Sequence, residues 1–449
     1  MKILLPLLLI TATAAAEIQV DTKHKPSDKK WQPRATQLLG DVKDFKSAEP
    51  AHSQFGGRAD RKSKATGFFH AEKIGDRWWL VDPEGCLMLS VGCCAVTPSR
   101  TPRGKESLAK KFGAEDKWAA QTAELLAANG FNTAGCWSDA TRLRAATPKI
   151  PYTVVLNCMS GYGKKRGGTF QKPGHTGYPG DCIFAFDPEF PAYCEERARE
   201  MLAPLKDDPW LLGIFSDNEM PFPNDALEKF LALPASEAGH KAAKQWLAEH
   251  GGKKDNAAFL EHLADAYFRI VSAAIRKADP NHMYIGCRFH GGDKTRAEIW
   301  RAAGRYLDAV SMNYYSAWTP DVEAMSNWVK WSGKPFLITE WYAKGVDSGF
   351  TNTTGAGWLV KTQKDRGAFY QNFTLGLLAH PGCVGWHWFK YMDNDPTDKH
   401  ADPSNTDSNK GIVTNTYEPY TELLLRMKEI NQHVYGLSDH FSVRRKKLE

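Results

Sequence analysis

The chain has 449 residues, of which 42% are hydrophobic and 24% charged, and carries a formal net charge of +6. The length allows one large domain with insertions or two to three ordinary ones, and the composition excludes disordered and fibrous classes. The charge is mild for the size, so neither a nucleic acid nor an acidic substrate is called for. The dense basic run Arg444 to Lys447 reads as part of a solvated tail over residues 441–449.

The chain opens with "MKILLPLLLITATAAAE", one lysine before a short apolar run that closes on small residues. This is the pattern of a secretory signal peptide over residues 1–16, its apolar centre being too short for a comfortable membrane span. Removing it takes away Lys2 alone and leaves +5 (6 − 1). No later run is apolar enough to cross a bilayer, so the mature protein is expected to be secreted or periplasmic. Residues 17–65 are polar, lysine-rich and without apolar period, which predicts an extended arm or mobile leader that adds little to the core. In "GFFHAEKIGDRWWLVDPEG" two strand-like runs flank Gly75 and Asp76, predicting a β-hairpin ahead of the main domain, which is expected over 66–440.

Short apolar runs then alternate with helical stretches. The strand candidates are residues 87–96, 131–137, 152–158, 210–217, 283–289, 308–315, 335–341 and 383–391. Between them lie helix-period segments such as "DKWAAQTAELLAANG" and "NAAFLEHLADAYFRIVSAAIRKA". Eight strand-helix units with near-continuous apolar strands predict an α/β fold of the (β/α)₈ TIM-barrel type. A doubly wound open sheet would want a phosphate-binding glycine turn after its first strand, and "SVGCCAVTP" supplies none.

The nine cysteines are an odd number, and most lie inside apolar strand-like runs, where they read as small core residues. Cys182 and Cys194, which flank a polar insertion, are the better candidates for a disulfide. No CxxC or HxxxH spacing supports a structural zinc site. The acidic loop at 393–407 lacks EF-hand spacing and reads as a solvated loop.

In this fold the active site is built at the C-terminal ends of the strands. The fourth strand candidate ends in Asp217, Asn218 and Glu219, and the seventh, "KPFLITEWYAKG", reaches Glu340. Strands four and seven face each other across an eight-membered ring, so both glutamates are expected to project into one bowl. Two carboxyl groups flanking a cleft are what glycoside hydrolysis requires, one protonated to assist the leaving oxygen and one ionised. The neighbouring charge and burial are expected to raise the pKa of Glu219 and keep its proton in place. The eighth candidate, "CVGWHWFKYMDND", adds aromatic groups suited to the apolar faces of sugar rings. Alternation sends Trp386 and Trp388 to one side and His387 to the other.

The blocks "DRWWLVDPEG", "GFNTAGCWSD", "FDPEF", "LLGIFSDNEM", "YIGCRF", "LDAVSMNYY", "KPFLITEWYAKGVDSG", "CVGWHWFKYMDND" and "NKGIVTNTYEPYTEL" follow one another between about residues 67 and 430. In that order they resemble the motifs of the β-agarase-like glycoside hydrolases typified by family 50. The resemblance implies a retaining hydrolase with Glu219 as acid/base, Glu340 as nucleophile and Asn218 on the sugar 2-hydroxyl. It further implies that Tyr315 donates to Glu340 and Trp388 floors the same subsite. Arg288, His290, Trp137 and Asp139 are candidate substrate contacts. The flanks "SDNEMPFP" and "TEWYAKG" depart from the agarase pattern, which widens the expected substrate to β-galactoside polysaccharides and their oligosaccharides, with agarose leading. No cofactor and no metal are expected. Another β-glycosidase of the same clan and a non-catalytic carbohydrate-binding barrel are the alternatives, and the paired glutamates weigh against the second.

Overall fold

The computed structural model describes residues 18–46 and 48–446. The proposed leader at 1–16 lies outside them. Eight parallel strands form one sheet: β1 Ser90–Cys93, β2 Thr133–Ala134, β3 Tyr152–Val155, β4 Leu211–Phe215, β5 Met283–Tyr284, β6 Val310–Asn313, β7 Phe336–Glu340 and β8 Cys383–Trp388. Each strand candidate contains one of them. Their spatial order is β5-β4-β3-β2-β1-β8-β7-β6, and a bridge from Phe289, just after β5, to Met312 in β6 joins the two edges. The sheet therefore curls into a TIM-like barrel within a mixed α/β fold. Every residue of β4, β7 and β8 is buried, as expected for parallel strands covered on one face by helices and on the other by the barrel interior.

The helix Asn256–Ala278 shows why the intervening segments fold as they do. Asp255 caps its first turn by accepting from Ala258 N at 3.0 Å, Arg276 and Lys277 sit in its last turn, and its apolar residues face the sheet. No helix among the described residues is long and apolar enough to cross a membrane.

A four-stranded antiparallel sheet (58–62, 86–88, 77–81, 70–74) precedes the barrel, with 70–74 and 77–81 paired around Gly75 and Asp76. It feeds directly into β1. Trp78 N donates to Pro381 O, and Arg77 donates to Leu378 O and Cys383 O, so the sheet covers the end of the barrel where β8 begins.

Residues 18–62 differ from the expected arm. Ile18–Lys23 and Gln32–Thr36 form a sheet with Ala343–Gly345 and Trp358–Val360, the segments that follow β7. Val20, Val42 and Phe55 are buried, and Trp318 Nε1 donates to Thr36 Oγ1. The charged residues of these strands hid the pattern, because only alternate side chains face inward. A chain beginning at Thr66 is expected to lose its cooperative melt. Three buried apolar side chains are worth about 1.5–3 kcal/mol each, a large part of the roughly 5–15 kcal/mol that holds a protein together. Calorimetry of the truncated chain checks this, and an unchanged transition would restore the arm reading.

Two smaller expectations also change. All nine cysteines are free and buried, Cys182 and Cys194 among them. Residues 441–446 continue the helix Val434–Lys446 instead of forming a loose tail, and Arg445 Nη1 donates to Ala379 O at 2.7 Å.

Candidate active site

A cavity of about 640 Å³ opens at the C-terminal ends of the strands. Six non-glycine residues adopt positive φ just beyond six successive strands: Ala95, Trp137, Asn157, Glu219, Arg288 and Ser316. Each such conformation costs on the order of 1–3 kcal/mol and is kept only where the surroundings dictate it. All but Arg288 line the cavity. The bends turn the chain off each strand end and aim side chains inward.

At the floor, one network joins the two glutamates. Arg288, fully buried, donates Nη2 to Glu340 Oε1 at 2.6 Å and to Thr339 O at 3.0 Å, and Nη1 to Asn218 Oδ1 at 2.9 Å. Tyr315 OH donates to Glu340 Oε2 at 2.8 Å. Asn313 Nδ2 donates to Glu219 Oε1 at 2.8 Å, and its own Oδ1 accepts from Thr339 Oγ1. Asn218 Nδ2 reaches Gly174 O, on the hairpin Phe170–Lys172/His175–Gly177 that enters between β3 and β4. That hairpin brings His175 over Glu219, with Nδ1 3.6 Å from Oε2, while His290 Nδ1 lies 3.8 Å from the same oxygen.

The two carboxyls titrate as a pair. Burial raises the pKa of Glu340 and the charge of Glu219 adds to the rise, so that Arg288, Tyr315 and Lys410 offset it only in part. Burial also pushes Glu219 up, yet His175, His290, Asn313 and Arg288 together bring it below the usual carboxylate range. This reverses the expected direction for Glu219, because sequence reasoning had no histidine hairpin to include. Part of the depression comes from the charge of His290.

Other expected site residues fall on both sides of the cavity wall. Asn218, Tyr315, His290 and Trp137 line it, and Trp137 is 37% exposed with the Arg288 guanidinium 5.8 Å from its ring. Asp217 turns away: its carboxylate accepts from Met159 N, Ser160 N and Tyr267 OH, and burial lifts its pKa to about 6.

Asp139 is no substrate contact in this arrangement. It caps the helix Ala140–Ala145 and pairs with Arg142 at 2.6 Å.

Trp388 does not floor a subsite either. It is fully buried outside the barrel, its Nε1 donating to Lys410 O and its ring near Tyr370 and Trp341. The alternation along β8 explains this. His387 takes the inner side, where a Cβ at Gly92 would lie 2.3 Å from its ring, and both tryptophans face the helix Gln363–Ala379.

His175, Asn313, Tyr342 and Lys410 complete the cavity region and were not picked out from the sequence. Lys410 is buried, donating to Ser404 O and Asn405 Oδ1 with its ammonium 4.9 Å from the Tyr342 ring. Asn313, two residues before Tyr315, and Tyr342, two residues after Glu340, lie in recognised blocks and carried a usable signal.

No protein-family model matches the chain. Among curated proteins it is similar to β-agarase B of Vibrio sp. (strain JT0107), at 27% identity over 87% of this chain and 51% of that one. It is also similar to β-agarase A of the same strain, at 29% over 74% and 37%. The chain thus spans about half the length, or less, of these curated relatives. Among solved structures, BpGH50 superposes with a TM-score of 0.84 at 29% identity, over 95% of this chain and 96% of that one. The agarase AgWH50C gives 0.71 at 25%, over 87% and 67%. With the barrel and the ordered sequence blocks agreeing, the chain is β-agarase-like and resembles glycoside hydrolase family 50 in both sequence and fold.

Proposed function

We propose that the protein is a retaining glycoside hydrolase that cleaves β-galactosidic linkages in agarose-like polysaccharides or their oligosaccharides, with Glu340 as nucleophile and Glu219 as acid/base. The observation that carries the reading is the floor network. Two buried carboxyls from facing strands meet one cavity, and one of them is clamped by a guanidinium and a phenol. A carboxylate held by two donors at 2.6 and 2.8 Å is oriented for attack on an anomeric carbon.

Glu219, bonded through one oxygen to Asn313, keeps the other facing the cavity side of the hairpin, and the proposal requires it to hold a proton for the leaving oxygen once substrate is bound, against the depression that His175, His290, Asn313 and Arg288 impose in the free protein. Attack by Glu340 forms a glycosyl ester as the leaving oxygen departs with the proton of Glu219. Water, deprotonated by Glu219, then breaks the ester, and two inversions preserve the configuration. Trp137, exposed at the rim, offers an apolar face for a sugar ring. The similarity of the chain to named β-agarases supports the choice of galactan. Export directed by residues 1–16 belongs to the same proposal, since a polymer of this kind is met outside the cytoplasm.

The test is incubation with a panel of agar-type and other galactans, with NMR of the first product. The expected result is new reducing ends from agarose or its oligosaccharides that appear first as the β anomer. An initial α anomer would overturn the double displacement, and inactivity across the panel would overturn the substrate class.

A further inference from the structure

The imidazoles of His175 and His290 approach Glu219 in a way that simple hydrogen bonding does not account for. Both Nδ1 atoms point at one carboxylate oxygen, from 3.6 and 3.8 Å, which is beyond hydrogen-bond length. His175 Nδ1 is buried and has no hydrogen-bond partner. The two rings are 5.1 Å apart and tilted by 56°, and the three ligand atoms all lie within 4.8 Å of one another. We propose that His175, His290 and Glu219 form a binding site for a divalent transition-metal ion of the zinc class, and that the bound ion switches the hydrolase off.

The donor set selects the ion. Two imidazole nitrogens and one carboxylate oxygen match the three-protein-ligand zinc sites that keep a fourth position open. Magnesium and calcium want six or more oxygens, which this corner of the cavity does not offer. Geometry agrees: for bonds of about 2.0–2.1 Å, the ligand atoms of a tetrahedral zinc stand about 3.3 Å apart. The observed nitrogen-to-oxygen distances of 3.6 and 3.8 Å need to shorten by a few tenths of an ångström, and the nitrogen-to-nitrogen distance, which is within 4.8 Å, by up to about 1.5 Å. One ligand sits on a two-stranded hairpin, which is suited to such a shift. The side chains are 21%, 27% and 11% exposed, so the fourth position faces the cavity and an ion can enter from solvent.

The inhibitory half rests on the acid/base role proposed for Glu219, and the binding half does not. A carboxylate oxygen that ligates zinc has released its proton to solvent and cannot give one to a leaving sugar oxygen. No redox step is involved. The ion binds, a proton leaves, and a chelator reverses both.

The experiment uses the full chain, stripped of metal with EDTA and dialysed, and zinc chloride as the probe. Competition with a chromophoric zinc indicator reports binding, and turnover is followed in parallel. One zinc per chain is expected, with activity falling as the site fills and returning on EDTA. Cobalt(II) should give the visible absorption of a four-coordinate site. Losing an outer-shell partner of a metal ligand weakens binding about 10- to 100-fold, so losing a ligand in His175→Ala or His290→Ala should weaken it at least about tenfold. His250→Ala, at the C-terminal end of the helix Ala238–Glu249 and outside the cavity lining, should leave it unchanged. The more conservative His175→Gln and His290→Gln give the same answer if an alanine variant fails to fold. Absence of one-to-one binding, or binding that survives in both histidine variants, overturns the site. Binding without inhibition overturns the regulatory half. Because binding is read directly, a chain inactive on every galactan refutes the hydrolase reading alone, while a fully active chain that ignores zinc refutes only this one.

Discussion

Glu340→Gly is expected to lower turnover of the polysaccharide by about four orders of magnitude or more, in keeping with the loss of other covalent nucleophiles. The residue removed is the one that Arg288 and Tyr315 hold in place, so the variant keeps its positioning groups and lacks only the attacking oxygen. The cleared space lies on the face of the sugar from which attack comes. Azide can enter it and bond to the anomeric carbon of an activated β-galactoside, whose leaving group departs with its electron pair. The product is then the α-glycosyl azide. In Glu219→Gly, by contrast, azide intercepts the glycosyl ester from the opposite side and yields the β-glycosyl azide. NMR of the two azides decides the roles of the glutamates, and a β product from Glu340→Gly would exchange them.

Arg288→Met is expected to cost the fold about 3–5 kcal/mol, seen as a melting temperature lower by roughly 5–10 °C. Arg288 is fully buried and touches Glu340, Asn218 and the Thr339 carbonyl. Taking it away leaves Glu340 buried without its counter-charge, and the carboxyl answers by taking up a proton. Its pKa in the folded state, already raised by burial, then rises further. The folded chain binds more protons than the unfolded one in that window. The destabilisation therefore grows as pH climbs from the ordinary carboxylate value through the raised one. Adding Glu340→Gln removes the unpaired charge, so the double variant should melt well above Arg288→Met alone. Equal melting of Arg288→Met and the unmodified protein would show that the ion pair does not hold the floor together.

The barrel was legible because each strand is a compact apolar run with turn residues at its ends, and Glu219 and Glu340 were legible because each breaks such a run at its C-terminal end. The same property hid the fate of Trp388. A strand buried on both faces gives no hydrophobic alternation, so nothing in "GWHWF" says which tryptophan side looks inward. The small Gly92 on the neighbouring strand, which leaves room for His387, was the missing clue. His175 lay beyond reach for a different reason. It rides on an insertion whose docking over Glu219 depends on tertiary contacts, among them Asn218 to Gly174 O and Gly174 N to Asp402. The strands at 18–36 pair with each other, but their charged residues hid the alternation and the strand that covers the other edge of Ile18–Lys23 comes from the far end of the chain.

That distance has a kinetic side. Thr22 pairs with Val360, 338 residues later (360 − 22). At the roughly 5–20 residues per second of synthesis, the strand Ile18–Lys23, which can pair at once with Gln32–Thr36, waits about 17–70 s before the partner for its other edge exists. Over that interval one edge of the two-stranded ribbon, carrying Ile18 and Val20, is open to pairing with a neighbouring nascent chain. Closing so long a loop comes late in folding, after the local strand-helix units have formed. Yield and final stability are thereby separable properties of this protein: a charge placed on the outer face of Ile18–Lys23 leaves the finished sheet intact and still changes how much chain escapes aggregation.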